Sequence, residues 1–267
     1  MDISDDLAAD LISTAHALAD AAGAVILPAF RPVGGIAADN KLADGFDPVT
    51  AADKAAEQAM RAVLAQRRAG DAILGEEFGR SSGDSGLTWV LDPIDGTRAF
   101  MSGTATWGVL IAVSDDTGPR LGIIDQPYTG ERFIGGLGQA SWRGPRGSGP
   151  LATRQTSDLA EAILFSTFPE VGTAQERAGF EAVRDRVKLT RYGMDCYAYA
   201  LLAAGQIDLV IEAGLQAYDI QGPLAVIEAA GGIVTDWQGG PAHEGGRVVA
   251  AANATLHAQA IDLLRAY

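Results

Sequence analysis

The sequence has little cysteine, little histidine and a shortage of positive charge. Its single cysteine, Cys196, excludes an intramolecular disulfide and a cysteine-rich zinc site. Only three histidines occur, His16, His243 and His257. Each lies far along the chain from the acidic segments described below, so all three read as structural or solvated. Acid–base chemistry would then run through carboxylates, hydroxyls and metal-bound water. Lys and Arg total 20 against 34 Asp and Glu, a net charge of −14. That argues against a nucleic-acid partner held by a basic surface and reads first as solubilising charge. No apolar run is read as long enough to cross a bilayer, so no membrane partner is expected. The acidic start, Met1-Asp2-Ile3-Ser4-Asp5-Asp6, does not suit a signal or transit peptide. The expected location is cytoplasmic.

What remains is ample for a core: 267 residues, 48% of them hydrophobic. That supports a single domain, 1–267, or two closely joined subdomains. Helical spacing predicts helices over 6–27, 51–68, 174–183, 196–204, 220–230 and 254–266. Short apolar runs predict strands at 72–74, 107–113, 120–126, 132–135, 162–166, 187–190, 207–211, 233–235 and 248–251. Residues 41–48 and 81–86 read as loops. Gly136-Leu137-Gly138 reads as a hairpin turn, since no full nucleotide-binding glycine pattern surrounds it. The Gly/Pro-rich stretch 144–150 is the candidate boundary between subdomains 1–145 and 150–267. Helices come first, then an antiparallel-looking sheet, then mixed α/β. The class is α/β, or α+β in layers: a sandwich of helices and sheets.

The most informative segment is Trp89-Val90-Leu91-Asp92-Pro93-Ile94-Asp95-Gly96-Thr97. Three apolar residues end a buried strand, and two carboxylates and a Gly-Thr turn follow. Crowded carboxylates repel unless a cation lies between them, and hard divalent cations prefer such oxygen ligands. Backbone N–H groups at Gly96 and Thr97 suit a phosphate. Other acidic residues also fall at junctions: Asp53 at a helix start, Glu76 and Glu77 after a strand, Asp219 opening an apolar helix. Asp53 and Asp219 also have a plainer reading, as carboxylates favoured at helix N-termini. Glu76-Glu77 could equally be a solvated turn.

Gly75-Glu76-Glu77, Asp92-Pro93-Ile94-Asp95-Gly96-Thr97, and Tyr218-Asp219 followed by Ala229-Ala230-Gly231-Gly232 resemble the inositol monophosphatase family. These are magnesium-dependent phosphatases related to fructose bisphosphatase. The motifs stand in the family order, and the resemblance spans nearly the whole chain. It implies a five-layer αβαβα sandwich, often a homodimer, acting on a small-molecule phosphate ester with two to three Mg2+ ions. Glu76, Asp92 and the carbonyl of Ile94 would hold one ion. Asp92, Asp95 and Asp219 would hold a second, with a third, weaker ion near Glu76. Asp53 and Thr97 would orient the attacking water, with Glu76 beside them, and the Gly96 and Thr97 amides would hold the phosphate.

Within the family, Asp195-Cys196-Tyr197, the Tyr before Asp219 and the Gly45-Phe46-Asp47-Pro48-Val49-Thr50 run are more similar to the histidinol-phosphate phosphatase branch. Asp195 and Glu212 would pair with the ammonium and imidazole of histidinol phosphate. Asp195 also reads as a helix cap, Glu212 as a subunit contact, and Arg191 as either a substrate contact or a surface charge. An inositol monophosphatase or a broad sugar or nucleotide phosphatase is the alternative. A bisphosphate specialist would need extra cations for the second phosphate, and no basic cluster is evident near the motifs; a regulatory protein without turnover would not need the full acidic set. Gln221-Gly222-Pro223 departs from the small or apolar residues usual in the family, which puts the angle of the Asp219 helix in question.

Overall fold

A computed structural model describes residues 3–40 and 48–267. The Gly45-Phe46-Asp47 part of the 45–50 run, and residues 41–47 of the 41–48 loop, lie outside it. In chain order the elements are α1 (Asp5–Ile26), β1 (Asp39–Asn40), β2 (Pro48–Val49), α2 (Ala51–Arg67), β3 (Ala72–Gly75), β4 (Gly79–Ser81), β5 (Thr88–Asp95) and α3 (Thr97–Ser102). Then come β6 (Gly108–Asp115), β7 (Gly118–Gln126), β8 (Glu131–Gly136), β9 (Gln139–Gly144), β10 (Gly147–Pro150), β11 (Ile163–Ser166), α4 (Ala174–Arg184) and β12 (Leu189–Tyr192). The chain ends with α5 (Tyr197–Ala203), β13 (Leu209–Gln216), α6 (Ala217–Ala229), β14 (Ile233–Asp236), β15 (Gly245–Ala251) and α7 (Ala254–Leu264).

Eight strands form one sheet, ordered β10-β9-β8-β7-β6-β5-β3-β4, and five form another, ordered β12-β11-β13-β15-β14. The first is antiparallel except where β3 runs parallel to β5. In the second, β11 runs parallel to both β12 and β13, while β15 pairs antiparallel with β13 and β14. Helices α1 and α2 pack together on the first sheet, α5 and α6 lie between the sheets, and α4 and α7 cover the second. Three apolar clusters fill the layers: one between α1/α2 and the first sheet, one around α5 and α6 between the two sheets, and one between the second sheet and α4/α7. The expected αβαβα sandwich is present.

Two expectations change. By length and apolar composition, the segment Asp5–Ala29 qualifies as a bilayer span. Its apolar stripe is already occupied: Leu11, Leu18, Ala22 and Ile26 are fully buried against α2 and the first sheet, as a core helix requires. The stretch 144–150, read as the candidate boundary, is itself ordered as a hairpin: β10 pairs with β9 and completes the first sheet. Its glycines serve a tight turn. The chain crosses toward the second sheet after Pro150.

The Gln221-Gly222-Pro223 departure has a packing explanation. Helix α6 runs unbroken through Pro223 and lies very close to the first sheet. A Cβ on Gly122 would fall 2.2 Å from the Gly222 carbonyl oxygen, and one on Gly135 would fall 2.5 Å from Val226 Cα. Gln221 spans the gap, accepting from Ser114 Oγ and donating to the His243 carbonyl at 3.0 Å. The seam fixes the helix whose first turn carries Asp219. Gly135→Ala should therefore cost about 1–3 kcal/mol, as overpacking does, read as a lower denaturation midpoint; an unchanged midpoint would show that the seam yields freely.

Candidate active site

Residues three apart on a regular strand face opposite sides, yet Asp92 and Asp95 face one site. A bulge in β5 accounts for this. Asp92 pairs with Leu110 and Asp95 with Gly108, so two residues of β5 stand opposite one of β6. The extra residue returns Asp95 to the side of Asp92. Pro93 sits in the bulge, where a missing N–H does no harm to the ladder. The Ile94 N–H turns inward and donates to Asp92 Oδ1 at 3.0 Å.

The other carboxylates arrive from separate elements. Asp219 lies in the first turn of α6 and Asp53 in the first turn of α2, each as the third residue of a capping box. The capping reading of both is correct, and it coexists with membership of the site because capping uses one carboxylate oxygen. Asp219 Oδ2 accepts from Gln216 N at 2.7 Å, and Asp53 Oδ2 accepts from Thr50 N at 2.9 Å. Asp95 Oδ2 likewise accepts from Cys196 N at 2.7 Å. Four carboxylates are thus each aimed by a backbone amide. Oxygens of Asp92, Asp95 and Asp219 lie within 4.8 Å of one another.

Glu76 is placed by a residue that sequence reasoning missed. Glu57 on α2 is fully buried, accepts from the Glu77 amide at 2.7 Å and the Phe78 amide at 3.3 Å, and pairs with Arg61 at 2.7 Å. It fixes the turn after β3 because Gly75 leaves room; a Cβ there would meet Glu57 Oε1 at 2.0 Å.

The electrostatics are those of a site short of positive charge. Burial pushes Asp92 well above the usual carboxylate range, and the charges of Glu76, Asp95 and Asp219 push it further. Asp95 is raised likewise, by burial and then by Asp219 and Asp195. Buried like charges at this spacing are costly unless compensated. An all-oxygen donor set of this density fits a hard divalent cation. Beside it, Thr97 Oγ1 donates toward the Ile94 carbonyl at 3.2 Å and lies 3.4 Å from Asp53 Oδ1. Asp53 is itself raised, mainly by burial. Gly96 takes a left-handed φ of +83° and abuts Asp195, where an added Cβ would lie 2.8 Å from the Asp195 Cβ.

These groups open into a cavity of about 290 Å³ lined by Glu76, Asp92, Asp95, Gly96, Thr97, Asp219, Asp195 and Glu212, among others. Asp195 is not a cap: it has φ of +45°, and its Oδ2 accepts from Thr106 Oγ1 at 2.8 Å. Glu212 is buried within this chain and accepts from Thr167 N at 2.6 Å, Thr167 Oγ1 at 2.9 Å and Ser166 Oγ at 3.2 Å. A second bulge, between Glu212 and Leu215 of β13, shapes this wall. Arg191 is a different case. It is exposed on the edge strand β12 and does not line the cavity, because its strand ends before the chain turns inward at Met194. None of the three histidines lines the cavity. Sequence reasoning missed Arg98, Thr167, Phe168 and Tyr199, all of which do. Only Arg98, next to Thr97, had a local signal; the others come from the ends of β11 and from α5, close to the carboxyl ends of parallel strands, where open α/β sheets place their ligands.

The model of the inositol monophosphatase family matches residues 8–267. This chain belongs to the inositol monophosphatase family. It is therefore a phosphatase of a metal-dependent kind, and the acidic cluster is where this inositol monophosphatase relative can hold metal. It is 40% identical over 274 residues to the bifunctional phosphatase IMPL2 of Arabidopsis thaliana, covering 98% of this chain and 77% of that protein. It is 34% identical to the histidinol-phosphatase of Mycobacterium tuberculosis, covering 82% and 85% of the two chains. Among solved structures, it is similar to an inositol monophosphatase from Zymomonas mobilis, with a TM-score of 0.84, 41% identity and coverage of 96% and 98%.

Two outcomes follow from this family member's charge balance. Asp92→Asn removes one repelling carboxylate, so the metal-stripped protein should melt higher, by about 2–4 °C per kcal/mol relieved. Phosphatase activity should fall at least about 100-fold, and divalent cation should no longer raise the midpoint. A lower midpoint for the stripped variant would remove repulsion from the account. Glu212 is pushed by burial from 4.5 to about 7. Its protonated form stabilises the fold, fully below pH 4.5, and that contribution is lost as pH rises through about 7. Denaturation of Glu212→Gln against pH should lack this decline, a slope of at most about 1.4 kcal/mol per pH unit; parallel curves would refute the shift.

Proposed function

We propose that this protein is a magnesium-dependent phosphomonoesterase that hydrolyses histidinol phosphate to histidinol and phosphate, in histidine biosynthesis. The observation that carries the reading is the pair Asp195 and Glu212, two carboxylates on the cavity wall beyond the acidic cluster. Histidinol phosphate presents an ammonium and an imidazole to that wall, and charge-assisted hydrogen bonds to carboxylates suit both. The likeness to the mycobacterial histidinol-phosphatase supports the same substrate. A second reading, an inositol monophosphatase or a broad sugar or nucleotide phosphatase, draws on the similarity to the Zymomonas mobilis protein.

In this reading Glu76, Asp92, the Ile94 carbonyl, Asp95 and Asp219 hold two to three magnesium ions. Bound magnesium supplies positive charge for the phosphoryl oxygens and acidifies water. Thr97 Oγ1, set between Asp53 Oδ1 and the Ile94 carbonyl, orients the attacking water, and Asp53 accepts through Thr97 the proton that the water gives up. The Gly96 and Thr97 amides hold the phosphate and keep it in line. Asp195 and Glu212 hold the alcohol half. The net charge of −14 supports a protein that does not engage nucleic acid through a basic surface; we further propose that it is cytoplasmic, engages no membrane and works as a homodimer.

Phosphate release with magnesium, compared between histidinol phosphate and inositol monophosphate, tests the reading. A kcat/KM preference of at least about tenfold for histidinol phosphate is expected, equivalent to about 1.4 kcal/mol. Asp195→Ala should erode that preference by acting mainly on histidinol phosphate. A wild-type preference for inositol phosphate, or equal losses on both esters, would overturn it.

A further inference from the structure

Tyr199 is the one cavity-lining residue whose buried polar atom has no hydrogen-bond partner among the described residues. It stands on α5 and is 4% exposed. Its neighbours are provided for: Asp195 by Thr106, Glu212 by Ser166 and Thr167, Thr97 by Asp53 and Ile94. A buried hydroxyl left unpaired is costly, and such groups in native folds call for an explanation. A phenol hydroxyl can both donate and accept.

We propose that Tyr199 is a specificity-determining residue: its hydroxyl takes its missing partner from the alcohol half of the phosphate ester, accepting from an N–H or O–H donor there. The surroundings favour a donor. Asp195, Glu212 and Asp219 line the same cavity, and a head group able to donate to them can donate to Tyr199 as well. A site that hydrogen-bonds a polar substrate discriminates strongly against esters lacking that group, because the buried partner is then left unpaired. The inference rests on the phosphatase reading of the site and sharpens what it selects.

Tyr199→Phe deletes only the oxygen. Three esters separate the outcomes: histidinol phosphate, inositol monophosphate, and phenyl phosphate, whose alcohol half carries no donor. On whichever polar ester the wild type prefers, kcat/KM should fall about three- to tenfold, mostly through KM. On phenyl phosphate it should stay within about twofold, and the melting midpoint should hold or rise because an unpaired buried group is gone. Equal losses on all three esters, or no loss on the preferred polar one, would overturn the proposal. The wild-type preference alone decides between histidinol and inositol phosphate, so a failure of the substrate reading is seen separately from a failure of Tyr199.

Discussion

Mutual repulsion among carboxylates is the constraint that the rest of this structure accommodates. Asp92, Asp95 and Asp219 crowd their oxygens within 4.8 Å, and Glu76 adds its charge to Asp92. Left to themselves these side chains would turn away from one another. Backbone amides prevent that. Each of Asp53, Asp92, Asp95 and Asp219 has an oxygen bonded to an N–H of a bulge, a loop or a helix start. Amide bonds to a carboxylate offset part of its desolvation, and they set its direction before any ligand arrives.

Both sheets contribute to the site through the same device. A bulge in β5 brings Asp92 and Asp95 to one side, and a bulge in β13 shapes the wall that carries Glu212. The helical layer between them is held by glycines that let α6 approach the first sheet at backbone distance. The acidic cluster therefore rides on strands and helix ends packed from both faces, which suits a site whose chemistry depends on position.

The sequence made the acidic cluster legible because its central motif is contiguous and its outliers sit at element starts. Asp53 and Asp219 were readable both as caps and as ligands, and each turns out to occupy a cap within the site. A layered sandwich of helices and sheets was readable from alternating periodicities, while its five-layer order came only from the family resemblance. Glu57, Thr167 and Tyr199 were not, since nothing local distinguishes a buried glutamate that ties a turn, or a tyrosine in an Ala-rich helix, from ordinary helix residues. Asp195 looked like a cap by its place before a helix, but its positive φ sends the side chain to Thr106. The 144–150 stretch reads as a linker and folds as a tight hairpin, because the two share a Gly/Pro-rich composition.

The contact between Gly96 and Asp195 joins the turn beside the acidic cluster to the loop on the opposite wall. With no space for a Cβ at Gly96, any side chain at 195 must share that surface, and a bulkier one would push directly on the turn. Phe168, set on the loop after β11, has no such contact with the turn, whereas Thr167 beside it is tied to Glu212. A change at that loop that keeps Thr167 would thus reshape the cavity mouth without touching the turn.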